Sequence, residues 1–360
     1  MEYAASRSLL WLALTGAFGA AAAFGAPAKA PPPETGSGSS TAAARAAVQA
    51  DIARIAATAG GEVGVLATHL ESGLTLSLNP DRRFPMASTF KIAVAGRILA
   101  EVDAGRLSLE QLVEVEPSDV LVSEGIANVF PFPGVSLSIR NLIESMLTRS
   151  DNTATNLLTR LGGGAPAADA WVKGLGIQGM RIDGDTNEIV TRFFSPPPGA
   201  GSVNDRLMKL LEAHPELERL DSQPNPPFDD DPHDTTSPAA MVALLTRICE
   251  HRALSSSGTE VLFGAMQRDI TGLKRLRAML PPGVIVKSKT GTIGGTLNDV
   301  GIIDLPDGRG RVVIAVYIKK SARPFEERER AIAAIGRSVY DYMLIESAGS
   351  AAGRRAGGSS

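Results

Sequence analysis

The 360-residue sequence contains a single cysteine, Cys249. That excludes an intramolecular disulfide, a zinc site built on two or more thiolates, and a Cys-x-x-Cys redox pair. Its four histidines show no His-Glu-x-x-His spacing, which argues against a zincin-type metal site. Gly-x-Ser-x-Gly is absent, which argues against an α/β-hydrolase. A formal net charge of -3 provides no basic field for nucleic acid. Nothing in the chain calls for a metal or another cofactor.

What is present fits a globular protein: 44% hydrophobic and 21% charged residues. Residues 8–28 carry no charge, follow Arg7, and hold Leu9, Leu10, Trp11, Leu12, Leu14, Phe18 and Phe24. Small residues come next, with Ala26-Pro27-Ala28 as a cleavage candidate, so residues 1–28 read as a secretory signal peptide. The expectation is export to a periplasmic or extracellular location, with no stable membrane association after cleavage. No cysteine near residue 28 could carry a lipid anchor. A lone cysteine in an exported protein fits a buried, unreactive residue.

Residues 29–44 are expected to form a flexible linker, 45–347 the folded domain, and 348–360 a disordered tail. Helical spacing over residues 42–58 puts Val48, Ile52 and Ile55 on one face. Strand-like runs follow at 62–70 and 74–79 around Glu71-Ser72-Gly73, a hairpin signal. A long helical stretch is expected from about 88 to 280, then strands at 284–288, 299–305 and 311–318. Pro306-Asp307-Gly308 turns between the last two. A final helix is expected over about 325–345. Strands at both ends of the domain can join in one antiparallel sheet flanked by the terminal helices, with the middle as a helical lobe, an α+β architecture. Residues 195–234 stand apart, with eight prolines, nine acidic and three basic residues. They read as a solvated surface insertion, within bounds of about 188–233, broken by a short helix at 205–213.

Three short motifs carry the chemistry. Ser88-Thr89-Phe90-Lys91 is the only Ser-x-x-Lys. On a helix Lys91 lies one turn beyond Ser88, so an amine can take the proton of an otherwise poor nucleophile. The alternative is a serine cap followed by a surface lysine. Ser150-Asp151-Asn152 precedes another helical run. Ser150 can relay a proton to a leaving amine and Asn152 can bind an amide, although all three residue types also cap helices. Lys289-Thr290-Gly291 lies on a strand. Lys289 and Thr290 suit a substrate carboxylate, and the charge of Lys289 biases Lys91 toward neutrality. Gly291 permits close approach to the strand edge, and the N–H groups of Ser88 and Thr292 form a candidate oxyanion hole.

Together and in this order the three motifs resemble class A serine β-lactamases and penicillin-binding proteins. So do the surrounding residues 84–91, 150–158 and 234–241. The resemblance spans roughly residues 45–345. It implies a five-stranded antiparallel sheet with flanking helices plus an all-α lobe. It also implies an acyl-enzyme on Ser88, a small-molecule β-lactam as substrate, and a monomer. It places Arg275, 14 residues before Lys289, as a helper for the substrate carboxylate. A surface cation within Lys274-Arg275-Leu276-Arg277 is the competing reading.

The pattern breaks in the loop that, in class A enzymes, holds the deacylating water with Glu-x-x-x-Asn. Here residues 184–188 read Gly-Asp-Thr-Asn-Glu, and the loop then runs about 35 residues longer than in those enzymes before it reaches Asp234. Asp185, Glu188 and Glu216 are the candidates for the base, and the sequence does not choose among them. Three functions therefore stay open: a β-lactamase with a rebuilt loop; a penicillin-binding DD-peptidase-like acyltransferase or slow amide or ester hydrolase; and a secreted non-catalytic binding protein on the same scaffold.

Overall fold

The computed structural model describes residues 37–356 except 122, 124 and 131. The signal-peptide reading of residues 1–28 lies outside the described residues.

Five strands form the central sheet: β1 (Glu62–His69), β2 (Thr75–Leu78), β3 (Val286–Ile293), β4 (Thr296–Asp304) and β5 (Arg311–Lys319). Their order is β2-β1-β5-β4-β3, antiparallel throughout. The hairpin register Val65↔Leu78 to Thr68↔Thr75 follows from the turn before Leu74, where Gly73 takes φ +72°. Residues 312–319 are apolar almost without interruption because both faces of β5 are covered.

One face carries two long helices, α1 (Ser37–Thr58) and α10 (Phe325–Ala356), which pack against each other. Ile52, Val65, Ile314, Ile332, Val339 and Met343 form the core there. The other face carries the helical lobe: α2 (Lys91–Asp103), α3 (Ile139–Thr148), α4 (Asn152–Leu161), α5 (Ala165–Gly174), α6 (Thr186–Phe194), α7 (Val203–Ala213), α8 (Pro238–Cys249) and α9 (Ser256–Gln267). Ile92, Leu142, Leu157, Met241 and Tyr317 share its core. Cys249 ends α8 buried, and burial pushes its thiol up to about 11. The thiolate is therefore scarce near neutrality.

Four expectations need correction. First, residues 37–44, placed in a linker, are already helical, since the small side chains of SGSSTAAA follow a helix docked on α10. Second, residues 348–356 of the expected disordered tail are helical, because α10 continues to Ala356; residues 357–360 lie outside the described residues. Third, the stretch 88–280 is not continuously helical. It contains a two-stranded ribbon, Leu112–Glu114 with Ser136–Ser138, and the short strand Thr235–Thr236, which pairs with Phe84–Pro85 before it. Residues 268–280 are turns rather than a helix, because Asp269 accepts the Thr271 N–H and Asp299 accepts that of Leu276. Fourth, the insertion is not merely a solvated loop. Its first limb, including α7, is largely exposed, but Phe228 and Asp229 on its return limb are buried.

Candidate active site

Ser88 sits in a 3-10 turn, Ala87–Phe90, that runs directly into α2. Ala87 before it takes φ +45°, a left-handed conformation uncommon for a residue with a side chain. The turn places Lys91 at the first position of α2, and its side chain is fully buried.

Lys91 meets the second motif directly. Its Nζ donates to Ser150 O at 2.6 Å, to Asn152 Oδ1 at 2.8 Å and to Ser150 Oγ at 3.3 Å. Ser150 turns between α3 and α4 with φ +58°. The intervening Asp151 points the other way. It caps α4 at Ala154 N and accepts from Ile126 N and Ser145 Oγ, which fixes the turn from three sides. Asn152 N in turn donates to Ser123 Oγ.

The third motif lies on β3, an edge strand of the sheet. A Cβ on Gly291 would come within 2.6 Å of Met86 O and 3.2 Å of Ala87 Cβ, so only glycine lets this strand lie against the serine turn. Asn298 on β4 reinforces the contact, donating to Pro85 O at 3.0 Å and Met86 O at 3.1 Å. Lys289 is fully buried and donates to Thr290 O. The Thr290 hydroxyl meets that of Thr271, which donates to Asp269 Oδ1.

Arg275 is 3% exposed, so the surface-cation reading is overturned. Nor does it lie on a helix. Its Nη1 donates to Asn298 O at 2.8 Å and its Nη2 to Thr292 Oγ1 at 2.7 Å, which ties the guanidinium to the strand that carries the motif.

These placements set the charge states. Burial, and then the positive charge of Lys289, hold Lys91 well below the ordinary lysine range, against a smaller opposing pull from Asp151. Burial lowers Lys289 to about 8, partly countered by Asp269. Burial raises Asp299 to about 7, with Arg275 opposing. The site can therefore hold one neutral amine beside one ammonium near neutral pH.

The three candidate bases fare differently. Asp185 caps α6 by accepting Glu188 N, and Glu188 Oε2 accepts Asp185 N at 2.8 Å. Each carboxylate thus accepts the other residue's backbone N–H in a reciprocal capping box, with Glu188 exposed. Glu216 is exposed on a 3-10 turn of the insertion, beside the His214 ring. The residue that bonds to the neighbouring helix is Thr186, whose N–H donates to Asn156 Oδ1. Asn156 lies one turn along α4 from Asn152, so the head of α6 is tied to the same helix that supplies Asn152 to Lys91.

Sequence reasoning missed Asn156, Asp269, Thr271, Asn298 and Asp299. Only Asn298-Asp299 left a signal, a polar pair inside an otherwise apolar strand.

The sequence matches the family described as "Beta-lactamase enzyme family" over residues 47–343. Similar solved structures include a β-lactamase from Chitinophaga pinensis DSM 2588, 29% identical with a TM-score of 0.67. That match covers 82% of this chain and 98% of the other. An ancestral Gram-negative class A β-lactamase is 32% identical at a TM-score of 0.67, covering 82% and 99%. The TLA-1 extended-spectrum β-lactamase is 26% identical at 0.69, covering 84% and 99%.

Proposed function

This chain belongs to the β-lactamase enzyme family and acts on β-lactams; from that premise we propose that it opens the ring through a covalent acyl-enzyme on Ser88. The observation that carries the proposal is the fully buried Lys91 amine, held between Ser150 and Asn152 with its basicity depressed. A neutral Nζ, with its two hydrogens on Ser150 O and Asn152 Oδ1, accepts the Ser88 hydroxyl proton as Oγ attacks the ring carbonyl. The N–H groups of Ser88 and Thr292 stabilise the oxyanion. As the ring C–N bond breaks, the proton passes from Lys91 through the Ser150 hydroxyl to the leaving nitrogen. Lys289 and Thr290 bind the substrate carboxylate, Asn152 the side-chain amide, and Arg275 supports Thr292.

Hydrolysis of the ester then needs a base for water. Both carboxylates at the head of α6 are engaged in capping, each accepting the other residue's backbone N–H, which favours a second reading, a DD-peptidase-like acyltransferase that releases its adduct slowly. A missing base of this kind is worth about 10²–10⁴-fold. Mixing the protein with a chromogenic cephalosporin tests both. Continuous turnover is expected, whereas a burst of about one equivalent followed by a stall would replace the lactamase reading with the second. Neither burst nor turnover would leave a non-catalytic binding protein.

Glu188→Gln is expected to leave turnover within about twofold, because glutamine keeps the capping bond of an exposed side chain. Trapped acyl-enzyme in that variant, seen by intact-protein mass spectrometry, would instead make Glu188 the base.

Export and a monomeric state belong to the same proposal. No helix among the described residues is long and apolar enough to cross a membrane.

A further inference from the structure

The insertion returns to the active-site strand. On its return limb Gln223 O lies 2.8 Å from where a Cβ on Gly294 would stand, and Pro224 Cα lies 2.9 Å from the corresponding point on Gly295. These two glycines form the turn between β3 and β4, immediately after Ile293. The Phe193 ring packs on Gly294 from the end of α6, edge-on to Phe228 at 5.2 Å.

Polar groups clamp the contact. Arg328 on α10 is fully buried, and its guanidinium bridges the two partners, donating to Gly294 O at 3.0 Å and Ser222 O at 3.3 Å. Asn225 Nδ2 donates to Phe193 O at 3.1 Å. The buried Asp229 accepts Asn225 N, and its own carbonyl accepts Lys319 Nζ from β5.

The position matters because the strand sets the substrate's direction. On the reading proposed above, the carboxylate lies at Lys289 and Thr290 and the reacting carbonyl at the Thr292 N–H. The acyl substituent then continues toward Ile293 and Gly294, about 3.3 Å further per residue. There the Gln223 backbone, backed by the buried Phe193 ring, stands against the Gly294 turn.

We propose that residues 222–229, clamped by Arg328, are a specificity wall that closes the substrate groove beyond Thr292 and restricts this protein to β-lactams with small acyl substituents. The wall acts through position, not chemistry. Its effect is therefore a change in discrimination between substrates that share a nucleus.

The test uses two cephalosporins that differ only in the acyl group, one small and unbranched, one carrying a branched oxyimino group. Second-order acylation rate constants are measured by intact-protein mass spectrometry, so that slow deacylation does not interfere. The wild type is expected to prefer the small substituent by about 100-fold. Asn225→Ala and Arg328→Gln are expected to reduce that preference at least about 10-fold. Asn225→Ala removes only a half-buried side chain, and it decides the matter if Arg328→Gln does not fold. Equal rates in the wild type, or variants that slow both substrates in parallel, would overturn the wall. A wild type acylated by neither compound would overturn the β-lactam reading itself, and the wall with it.

Discussion

Ser88→Ala is expected to form no covalent adduct with any penicillin or cephalosporin and to lose turnover by about 10⁴–10⁶-fold, the scale on which nucleophile removal acts in serine hydrolases. The structure makes this substitution a clean one. Ser88 is half-buried, and the turn around it is held by neighbours. Thr89 N and its hydroxyl donate to Met86 O, Asn298 pins Pro85 and Met86, and Gly291 packs against Ala87. None of these contacts needs the serine hydroxyl. The thermal midpoint should therefore stay within a few degrees while the adduct disappears. An adduct of unchanged mass and rate in Ser88→Ala would place the nucleophile elsewhere and remove the basis of the proposed mechanism.

The second large effect concerns protons. If neutral Lys91 is the base, acylation rises as pH climbs through the depressed value of Lys91 in the free protein. If protonated Lys289 binds the substrate carboxylate, acylation falls again as pH passes about 8. The acylation constant kcat/KM, which reports the free enzyme, should therefore be bell-shaped, with its alkaline limb near 8. Lys289→Arg keeps its charge at alkaline pH and is expected to move that limb upward by more than a unit. Lys91→Met is expected to lower acylation by about 10²–10⁴-fold at every pH and to abolish the acid limb. A surviving acid limb in Lys91→Met would assign it to another group.

The sheet was legible in the sequence because its strands are bounded by turn residues and its central strand is buried on both faces. The three motifs were legible because nucleophile, base and carboxylate-binding lysine must be particular residue types. The supporting shell was not. Asn156 reads as one polar residue on a helix, and its importance appears only when Thr186, 30 residues on, is placed against it. Asp269 and Thr271 read as turn residues, although they position Thr290. Arg275 lies in a basic run that looks exposed, and only the close approach of β4 shows that it is enclosed. The insertion was misjudged for a related reason. Proline and acidic residues are typical of solvated loops, but the buried part of this one rests on two aromatic rings and one distant arginine. Composition averages those features away.

The position of β3 at the sheet margin has one further consequence. Among strands of the described residues it pairs with β4 alone, so, although Arg277 Nη2 donates to Val286 O and Arg275 Nη1 to Gly291 O, its outer edge carries no strand ladder. That is what a peptide-like antibiotic requires, and it is equally an invitation for a second polypeptide to zip onto the margin. The packing of Gly291 against the serine turn and of the 222–229 limb on the β3–β4 turn covers part of that margin, which shortens the stretch a second strand could pair with.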